Sequence, residues 1–405
     1  MPAATRTPPR FLTLILLAGL SVGALNMFLP SLANIAQEFQ ADYGLVNLSI
    51  AGYAAVTALL QLVMGPLSDR FGRRPVMLSA LVLFVLASLG CMVATDIWTF
   101  LVLRMVQGVI VAGYIVSMAV IRDTVAAQKA ASLIGYLAMA WAIAPMLGPM
   151  LGGALDELFG WRASFVAFFT FGLAVLALCW FDLGETNRST SATLNRQFRA
   201  YPELLGSRRF WGYALCMAFS TGAFYAFLGG APLVASAVFA MSPGTLGFCL
   251  GTITAGFVLG SFLAGRFSAR HSLTTMMITG RLVACTGLLL GLACVLAGIV
   301  EATLFFGACV FVGVGNGITM PSSMVGAMSV RASLTGTAAG LAGALTVAGG
   351  AVISAITGAI LTPANAPQAL LATMLASSAL ALAAALYVRW LDRNDPPAAP
   401  TTRDT

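Results

Sequence analysis

The sequence predicts an all-α membrane protein with twelve transmembrane helices in two pseudo-symmetric six-helix bundles and both termini in the cytoplasm. Three observations predict this class. Of the 405 residues, 59% are hydrophobic and only 9% are charged, whereas an ordinary soluble domain is about 25% charged. The apolar residues fall into runs long enough to cross a bilayer, and nearly all basic residues lie on one side of those runs. This composition excludes a water-soluble domain, which needs a charged surface, and a disordered chain, which is poor in apolar residues.

The apolar runs are separated by short polar breaks and are numbered here as spans one to twelve in chain order. One helical span needs about 20 apolar residues, so twelve spans use roughly 240 and leave little chain for a soluble domain. The predicted spans are Phe11–Ser31, Val46–Leu67, Val76–Ala94, Trp98–Ile121, Ala131–Leu155, Arg162–Phe181, Phe210–Gly230, Gly244–Phe267, Leu273–Val300, Ala302–Val325, Leu334–Leu361 and Ala366–Trp390.

The basic side chains set the predicted orientation. Of the 21 Arg and Lys residues, Arg104 and Arg281 lie inside spans and Arg162 lies alone between spans five and six. The others occupy the opposite side, together with both termini. Because cytoplasmic loops carry an excess of Arg and Lys, both termini are predicted to be cytoplasmic, and this requires an even number of spans. The net charge of +7 therefore indicates orientation and contact with lipid headgroups rather than nucleic-acid binding.

The longest polar interruption divides the chain into two halves of six spans each. The segment Gly65–Arg74 between spans two and three is also weakly similar to Gly265–Arg270 between spans eight and nine. A weak repeat at half the chain length is typical of transporters that bind substrate between two related bundles. The predicted domains are an amino-terminal bundle at 1–181, a cytoplasmic central loop at 182–209, a carboxy-terminal bundle at 210–391 and a flexible cytoplasmic tail at 392–405.

Four short patterns lie in register on these spans. They are Gly65-x-Leu67-x-Asp69-Arg70-x-Gly72-Arg73-Arg74 after span two, Arg104-x-x-Gln107-Gly108 in span four, Pro145-x-x-Gly148-Pro149-x-x-Gly152-Gly153 in span five, and Phe28-Leu29-Pro30-Ser31-Leu32 in span one with Arg122-Asp123 after span four. Together they resemble the signatures of the major facilitator superfamily, in its drug:proton antiporter branch of bicyclomycin, chloramphenicol and florfenicol resistance (Bcr/CflA) type. The resemblance implies a monomeric exporter in the bacterial inner membrane, which works by rocker-switch alternating access, uses the proton motive force and needs no cofactor.

The loop after span two is a candidate gating element. Asp69 can pair with Arg70 or a neighbouring arginine, and it can accept backbone N–H groups from a helix start, where the helix dipole favours an anion. Such a latch can form in one bundle arrangement and break in the other. The alternative is that the arginines are ordinary solvated loop charges.

Arg104 is the most informative charge because an ionisable residue inside a span is costly and usually functional. It lies about six residues inside span four, ~9 Å deep at 1.5 Å per residue. Asn26 lies at nearly the same depth in span one, so the two are predicted to meet directly or through a water molecule. The alternative is that Arg104 reaches back to the interface or is purely structural.

Members of this branch usually carry an Asp where this chain has Asn26, and Asn cannot carry a proton. None of the 14 acidic residues lies near the middle of a span. Two hypotheses follow. In the first, Asp123 beside Arg122 is the proton site. In the second, an uncompensated Arg104 makes the cavity prefer anionic or zwitterionic substrates.

The glycines and prolines of span five predict a bent helix that another helix can approach closely. The resemblance implies that this helix contacts span eight and seals the cavity.

The cavity itself is predicted to include Tyr53, Tyr136, Met139 and Asn316. A polar group inside a membrane needs an internal partner, and a methionine side chain can adapt to varied ligands. Arg281 is predicted to extend back to the cytoplasmic headgroups. The seven cysteines show no metal or disulfide spacing and are interpreted as reduced packing residues.

The leading functional prediction is a secondary active multidrug exporter of small amphipathic compounds, coupled to proton influx. The alternative is an exporter or facilitator of a specific anionic or zwitterionic metabolite with weak or no proton coupling. A membrane enzyme is disfavoured because the sequence has a single histidine and lacks a nucleophile set, a metal cluster and a phosphate-binding loop.

Overall fold

The computed structural model describes residues 9–125, 133, 137, 145, 147–187, 202–331 and 334–394. Within these residues the secondary structure is helical and contains no strand. Eleven helices are long and apolar enough to cross a membrane. Their bounds are Phe11–Glu38, Tyr43–Phe71, Arg73–Val93, Ile97–Thr124, Arg162–Asp182, Arg208–Ala237, Pro243–Phe267, Leu273–Leu296, Ala302–Ser329, Thr337–Ile360 and Ala366–Asn394.

These eleven helices correspond to every predicted span except span five, so the prediction of an all-α multi-pass membrane protein is confirmed. Span five is helical over 147–159, and most of its first part lies outside the described residues. The total of twelve spans, the cytoplasmic termini and the domain boundaries stay predictions. The sides of the membrane are therefore named below as the predicted cytoplasmic and periplasmic sides.

Span one is longer than predicted because the chain continues past its helix Phe11–Asn26. A 3-10 turn at Leu29–Ser31 leads into a further helix, Leu32–Glu38. Pro30 suits this turn, since proline lacks the N–H that the helix interior would require. The turn places Phe28 and Leu29 in the protein interior, where both are fully buried.

Glycines allow the helices of the carboxy-terminal half to pack closely. A Cβ atom at Gly313 or Gly317 of span ten would collide with backbone oxygens of Ile253 and Phe257 in span eight. Gly315 similarly faces the backbone of Gly280 in span nine. Close backbone approach through small residues is how helices associate where both lipid and protein are apolar.

Hydrogen bonds join the two halves at their predicted periplasmic ends. The Tyr43 hydroxyl donates to the carbonyl of Gly229 at 2.7 Å, and Asn47 Nδ2 donates to the carbonyl of Ser354 at 2.6 Å. Glu157, two residues past the predicted end of span five, accepts from the Gly244 backbone N–H at 3.1 Å. The conformation is therefore closed between the halves on the predicted periplasmic side.

Candidate functional site

Arg104 is fixed by the local structure of span four. Asp96 begins the helix by accepting the backbone N–H of Thr99 at 2.9 Å, and the helix Ile97–Gln107 then tightens into a 3-10 turn at Gly108–Val111. Arg104 and Gln107 lie three residues apart on one helix face. Arg104 Nη1 donates to Gln107 Oε1, and Gln107 Nε2 donates to Ser88 of span three at 2.6 Å.

Gly108 explains why this pattern ends in glycine. A Cβ atom at this position would lie 3.3 Å from the hydroxyl of Thr57 and 3.5 Å from the carbonyl of Tyr53. Spans two and four therefore approach each other directly beside Arg104.

Three aromatic rings surround the guanidinium of Arg104. Its central carbon lies 4.1 Å from the ring centroid of Phe28, 4.8 Å from that of Tyr53 and 5.9 Å from that of Phe165. We call these four residues the Arg104 cage. Arg104 is 0% exposed, so it does not reach back to the interface, and the ring faces supply part of the stabilisation that water would provide.

Arg104 has no ion pair among the residues that the structure describes, and two of its nitrogens, Nε and Nη2, lack a hydrogen-bond partner there. Asn26 is also buried, but its Nδ2 donates to the carbonyl of Val22 at 2.8 Å. Its Oδ1 has no partner within the described chain. The direct hydrogen bond considered between Asn26 and Arg104 is therefore not formed, because Asn26 turns back onto its own helix.

Arg281 corrects the sequence prediction. It is 0% exposed and does not extend to the headgroups. Its Nε donates to the Thr319 hydroxyl at 3.0 Å, and its Nη2 donates to Asn316 Oδ1 at 2.8 Å. Asn316 Nδ2 in turn donates to the carbonyl of Ser220 at 3.1 Å. Nη1 of Arg281 has no hydrogen-bond partner among the described residues. The two acceptors on span ten nevertheless make burial of Arg281 possible, whereas the sequence predicted that it would extend to the headgroups.

The loop after span two forms a charged cluster around Arg73. Arg73 Nη1 lies 2.5 Å from Asp69 Oδ1, and its Nε lies 3.1 Å from Asp123 Oδ2. Arg73 is only 8% exposed. Asp123 thus pairs with Arg73, whereas the sequence placed it beside Arg122, whose side chain is exposed. One guanidinium joins the ends of spans two and four to the start of span three.

The other two arginines of this loop make aromatic contacts. The Arg70 guanidinium lies 5.3 Å from the ring centroid of Phe71. Arg74 Nη2 donates to the carbonyl of Trp180 at 2.8 Å, and the same guanidinium lies over the Trp180 ring at 5.8 Å. Only Arg73 therefore occupies the position between the two carboxylates.

Glu185, which sequence reasoning missed, takes the capping role expected of Asp69. Its carboxylate accepts the backbone N–H groups of Arg73 at 3.0 Å and Arg74 at 3.2 Å. Gly72 has a φ of +97°, and a Cβ atom there would collide with the Glu185 carboxylate. The sequence carried no local signal for this cap, because Glu185 follows span six and more than a hundred residues separate the partners.

The small residues of span five contact both halves. A Cβ atom at Gly148 would lie 3.2 Å from Asn26 Cβ, and one at Gly152 would collide with the carbonyl of Met27. Gly153 faces the carbonyl of Pro243 at the start of span eight. Gly247 of span eight faces the carbonyl of Pro149 in the same way, and Pro145 is half-buried in the helix. Span five is thus wedged between spans one and eight; the contact with span one was not anticipated.

The predicted cavity residues separate into three groups. Tyr53 is 2% exposed and belongs to the Arg104 cage. Asn316 is held by Arg281 and Ser220. Tyr136 and Met139 lie outside the described residues.

Asp156 is a buried carboxylate that the sequence analysis did not single out. It follows Leu155, the predicted end of span five, and is 6% exposed. Asn34 Nδ2 donates to its Oδ2 at 2.9 Å. Burial raises the pKa of Asp156 above its ordinary value, while the Asn34 hydrogen bond opposes the rise.

Comparisons with known proteins agree with this architecture. The sequence pattern of the Major Facilitator Superfamily matches residues 12–354. An uncharacterized MFS-type transporter of Bacillus subtilis, YdgK, is 29% identical over 83% of this chain and 86% of its own length. A bicyclomycin resistance protein homolog of Haemophilus influenzae is 26% identical over 88% of this chain and 90% of its own. The crystal structure of a bacterial homolog of the human lysosomal transporter Spinster, inward-facing and unoccupied, has a TM-score of 0.78 at 17% identity and covers 96% of this chain and 98% of that one. This last likeness concerns the fold alone.

Proposed function

We propose a function from the premise that this chain belongs to the Major Facilitator Superfamily. It is a multi-pass inner-membrane transporter of small molecules and not an enzyme. In our proposal it exports small amphipathic compounds from the cytoplasm by alternating access, and proton influx supplies the energy. It acts as a monomer among membrane lipids and needs no cofactor. The relative named for bicyclomycin resistance supports the export of drugs.

The observation that carries this proposal is the way the halves meet. Spans two, five, seven, eight and eleven close the predicted periplasmic side through hydrogen bonds such as those of Tyr43 and Asn47 and through glycine contacts such as that of Gly153. Among the residues that the structure describes, neither a disulfide nor a buried ion pair joins the two halves. An interface of this kind can separate on one side and close on the other, as alternating access requires.

Proton coupling is assigned to Asp123 in this proposal. Its carboxylate accepts from Arg73 at 3.1 Å and is partly exposed at the predicted cytoplasmic side. A proton on Asp123 removes its charge and weakens the attraction to Arg73. Proton binding would then release one of the two carboxylates that hold the start of span three, and so bias the two arrangements of the bundle.

The test uses purified protein in liposomes that contain a pH-sensitive dye. Addition of a transported compound on one side should move protons in the opposite direction, and Asp123→Asn should reduce this movement while substrate binding persists. Drug export is tested by expressing the protein in a pump-deficient host and measuring growth in the presence of phenicols, dyes and anionic compounds. The proposal of drug export is overturned if expression gives no resistance to any of these compounds. Coupling is overturned if substrate moves without any pH change.

A second candidate is the export or facilitated release of an anionic or zwitterionic metabolite with weak or no proton coupling. The observation that favours it is Arg104, which is fully buried and has no carboxylate partner among the described residues. Resistance to anionic compounds in the same panel, without resistance to neutral or cationic compounds, would select this candidate.

A further inference from the structure

No carboxylate of the described residues balances the charge of Arg104. Sequence positions 125–155, which include the undescribed part of span five, contain neither Asp nor Glu. The described carboxylates lie at the ends of helices or in loops, and none of them forms an ion pair with Arg104. A fully buried unpaired cation is strongly unfavourable, and the aromatic rings of the cage offset only part of that cost.

The free nitrogens of Arg104 share one edge of the guanidinium. Nη1 is occupied by Gln107, whereas Nε and Nη2 have no partner in the described chain. Arginine presents these N–H groups as a planar fork that can bind an anion through two parallel hydrogen bonds. The unoccupied part of Arg104 is therefore a preformed anion-binding edge.

Arg281 shows that the protein can satisfy this edge when it supplies its own acceptors. In Arg281 the same two nitrogens are occupied, Nε by Thr319 and Nη2 by Asn316. Both arginines are 0% exposed. Nη1 of Arg281 has no partner in the described chain, whereas Nη1 of Arg104 donates to Gln107. Described side chains occupy the Nε/Nη2 edge in Arg281 and leave it unoccupied in Arg104.

Span one carries two glycines in the turns before Asn26. A Cβ atom at Gly23, or at Gly19 one turn earlier, would have no atom of the described chain within 4 Å. Asn26 lies one helical turn after Gly23 and two residues before Phe28 of the cage. No atom of another described helix therefore lies within that distance of these two positions.

We propose that the Nε/Nη2 edge of Arg104 binds one small monovalent anion of halide or carboxylate type. The anion neutralises the guanidinium inside the cage and is either a free ion or the carboxylate of a substrate. Binding of the anion can be measured without transport and so does not depend on the proposed function. Only the identification of the anion with part of a transported substrate rests on that function.

The experiment measures thermal unfolding of the purified full-length protein in detergent. Gluconate, the larger reference anion, is replaced stepwise by chloride, bromide or acetate at constant ionic strength. The wild-type midpoint should rise saturably by roughly 2–4 °C. Arg281→Gln is the matched control, and it should keep the response from its own lower starting midpoint.

Two variants should lose the response. Arg104→Gln removes the cation. Asn26→Asp adds a carboxylate on span one two residues before Phe28 of the cage, and in our proposal this carboxylate replaces the anion. Asn26→Asp keeps the proposal testable if Arg104→Gln does not fold. A response to chloride and bromide identifies a free halide, and a response to acetate alone identifies a carboxylate source. An equal response in wild type and Asn26→Asp, or no response in wild type, overturns the proposal.

Discussion

Arg73 Nε and Asp123 Oδ2 lie 3.1 Å apart, so the first residue of span three is tied to the last turn of span four. The same guanidinium holds Asp69, 2.5 Å away at the end of span two. One nearly buried arginine therefore positions three helix ends. Neutralising either carboxylate would weaken its attraction to Arg73 and so loosen the contact between those helix ends.

The first prediction concerns this cluster. Asp123→Asn should lower substrate-driven proton movement at least tenfold, because an amide can neither take up the proton nor keep the charge that attracts Arg73. Binding of substrate to the detergent-purified protein should change by less than threefold. Proton movement is followed with a pH-sensitive dye in liposomes, and binding by fluorescence titration.

Glu203→Gln is the control for this cluster. Glu203 pairs with Arg331 at 3.1 Å, but both side chains are more than half exposed, and exposed pairs of this kind contribute only about 0–1 kcal/mol. This variant should keep wild-type coupling. Loss of coupling in both variants alike would contradict a specific role for Asp123.

The second prediction concerns the two glycines of the same loop. Gly72→Ala should lower the free energy of unfolding by about 1–3 kcal/mol, because φ is +97° there and a side chain is strained in that region. Gly65→Ala should be neutral or stabilising by up to about 1 kcal/mol, since it lies within a helix with no described atom near its Cβ position. Thermal unfolding in detergent measures both variants. Equal destabilisation would contradict the different roles of the two glycines, with Gly72 required for its backbone conformation and Gly65 not.

The fold could be predicted because its signals are local and repeated. Each described span is an apolar run that can be recognised in the sequence. The orientation that the arginine distribution indicates stays a prediction. The motif glycines were also identifiable, since the spacing in Gly148–Gly153 marks a helix that another helix approaches closely. What could not be predicted is which partner each polar group chooses. Glu185 follows span six and caps span three, and no short sequence pattern encodes this relationship.

The two arginines inside spans show the same limit in energetic terms. Depth alone suggested that Arg281 would reach the headgroups, because a long side chain can do so from about two turns inside the membrane. The structure buries it because Thr319 and Asn316 on a neighbouring helix provide acceptors. Sequence shows that Asn316 lies inside span ten but not that it faces Arg281, since this depends on the relative rotation of two helices.

The third prediction concerns the seal between spans five and eight. Gly153→Val should weaken closure on the predicted periplasmic side, because Gly153 faces the carbonyl of Pro243 with no space for a side chain. Ser354 is fully buried at this interface, so a cysteine introduced by Ser354→Cys can report its opening. In the Gly153→Val background this cysteine should react at least fivefold faster than in the wild-type background with a membrane-impermeant thiol reagent added outside intact cells.

Gly307→Val is the control for the seal, since the Cβ position of Gly307 has no described atom within 4 Å. It should leave the labelling rate of the reporter unchanged. If Gly153→Val also leaves the rate unchanged, the contact does not hold the predicted periplasmic side closed.

The fourth prediction follows from Asp156. Burial raises its pKa in the folded protein, so between the unfolded and folded pKa values the folded state binds more protons than the unfolded chain. The free energy of unfolding should therefore fall as pH rises through that interval. The stabilisation that protonated Asp156 contributes is fully present only below the unfolded pKa. Asp156→Asn should remove this part of the pH dependence in thermal unfolding between pH 4 and 8, whereas Glu301→Gln in an exposed turn should not. A wild-type profile in Asp156→Asn would refute the effect.

The last prediction tests whether Arg281 and Asn316 act as one unit. Arg281→Met leaves Asn316 Oδ1 and the Thr319 hydroxyl without their donor, and each unsatisfied buried group costs about 1–3 kcal/mol. Asn316→Leu leaves the guanidinium without one acceptor and should be similarly destabilising. Because the double variant removes both members of the pair, its loss of stability should be smaller than the sum of the single losses by about 0.5–3 kcal/mol. Chemical unfolding of the four proteins in detergent measures this coupling. Strict additivity would mean that the 2.8 Å contact contributes nothing to stability, and that Arg281 is buried for its packing alone.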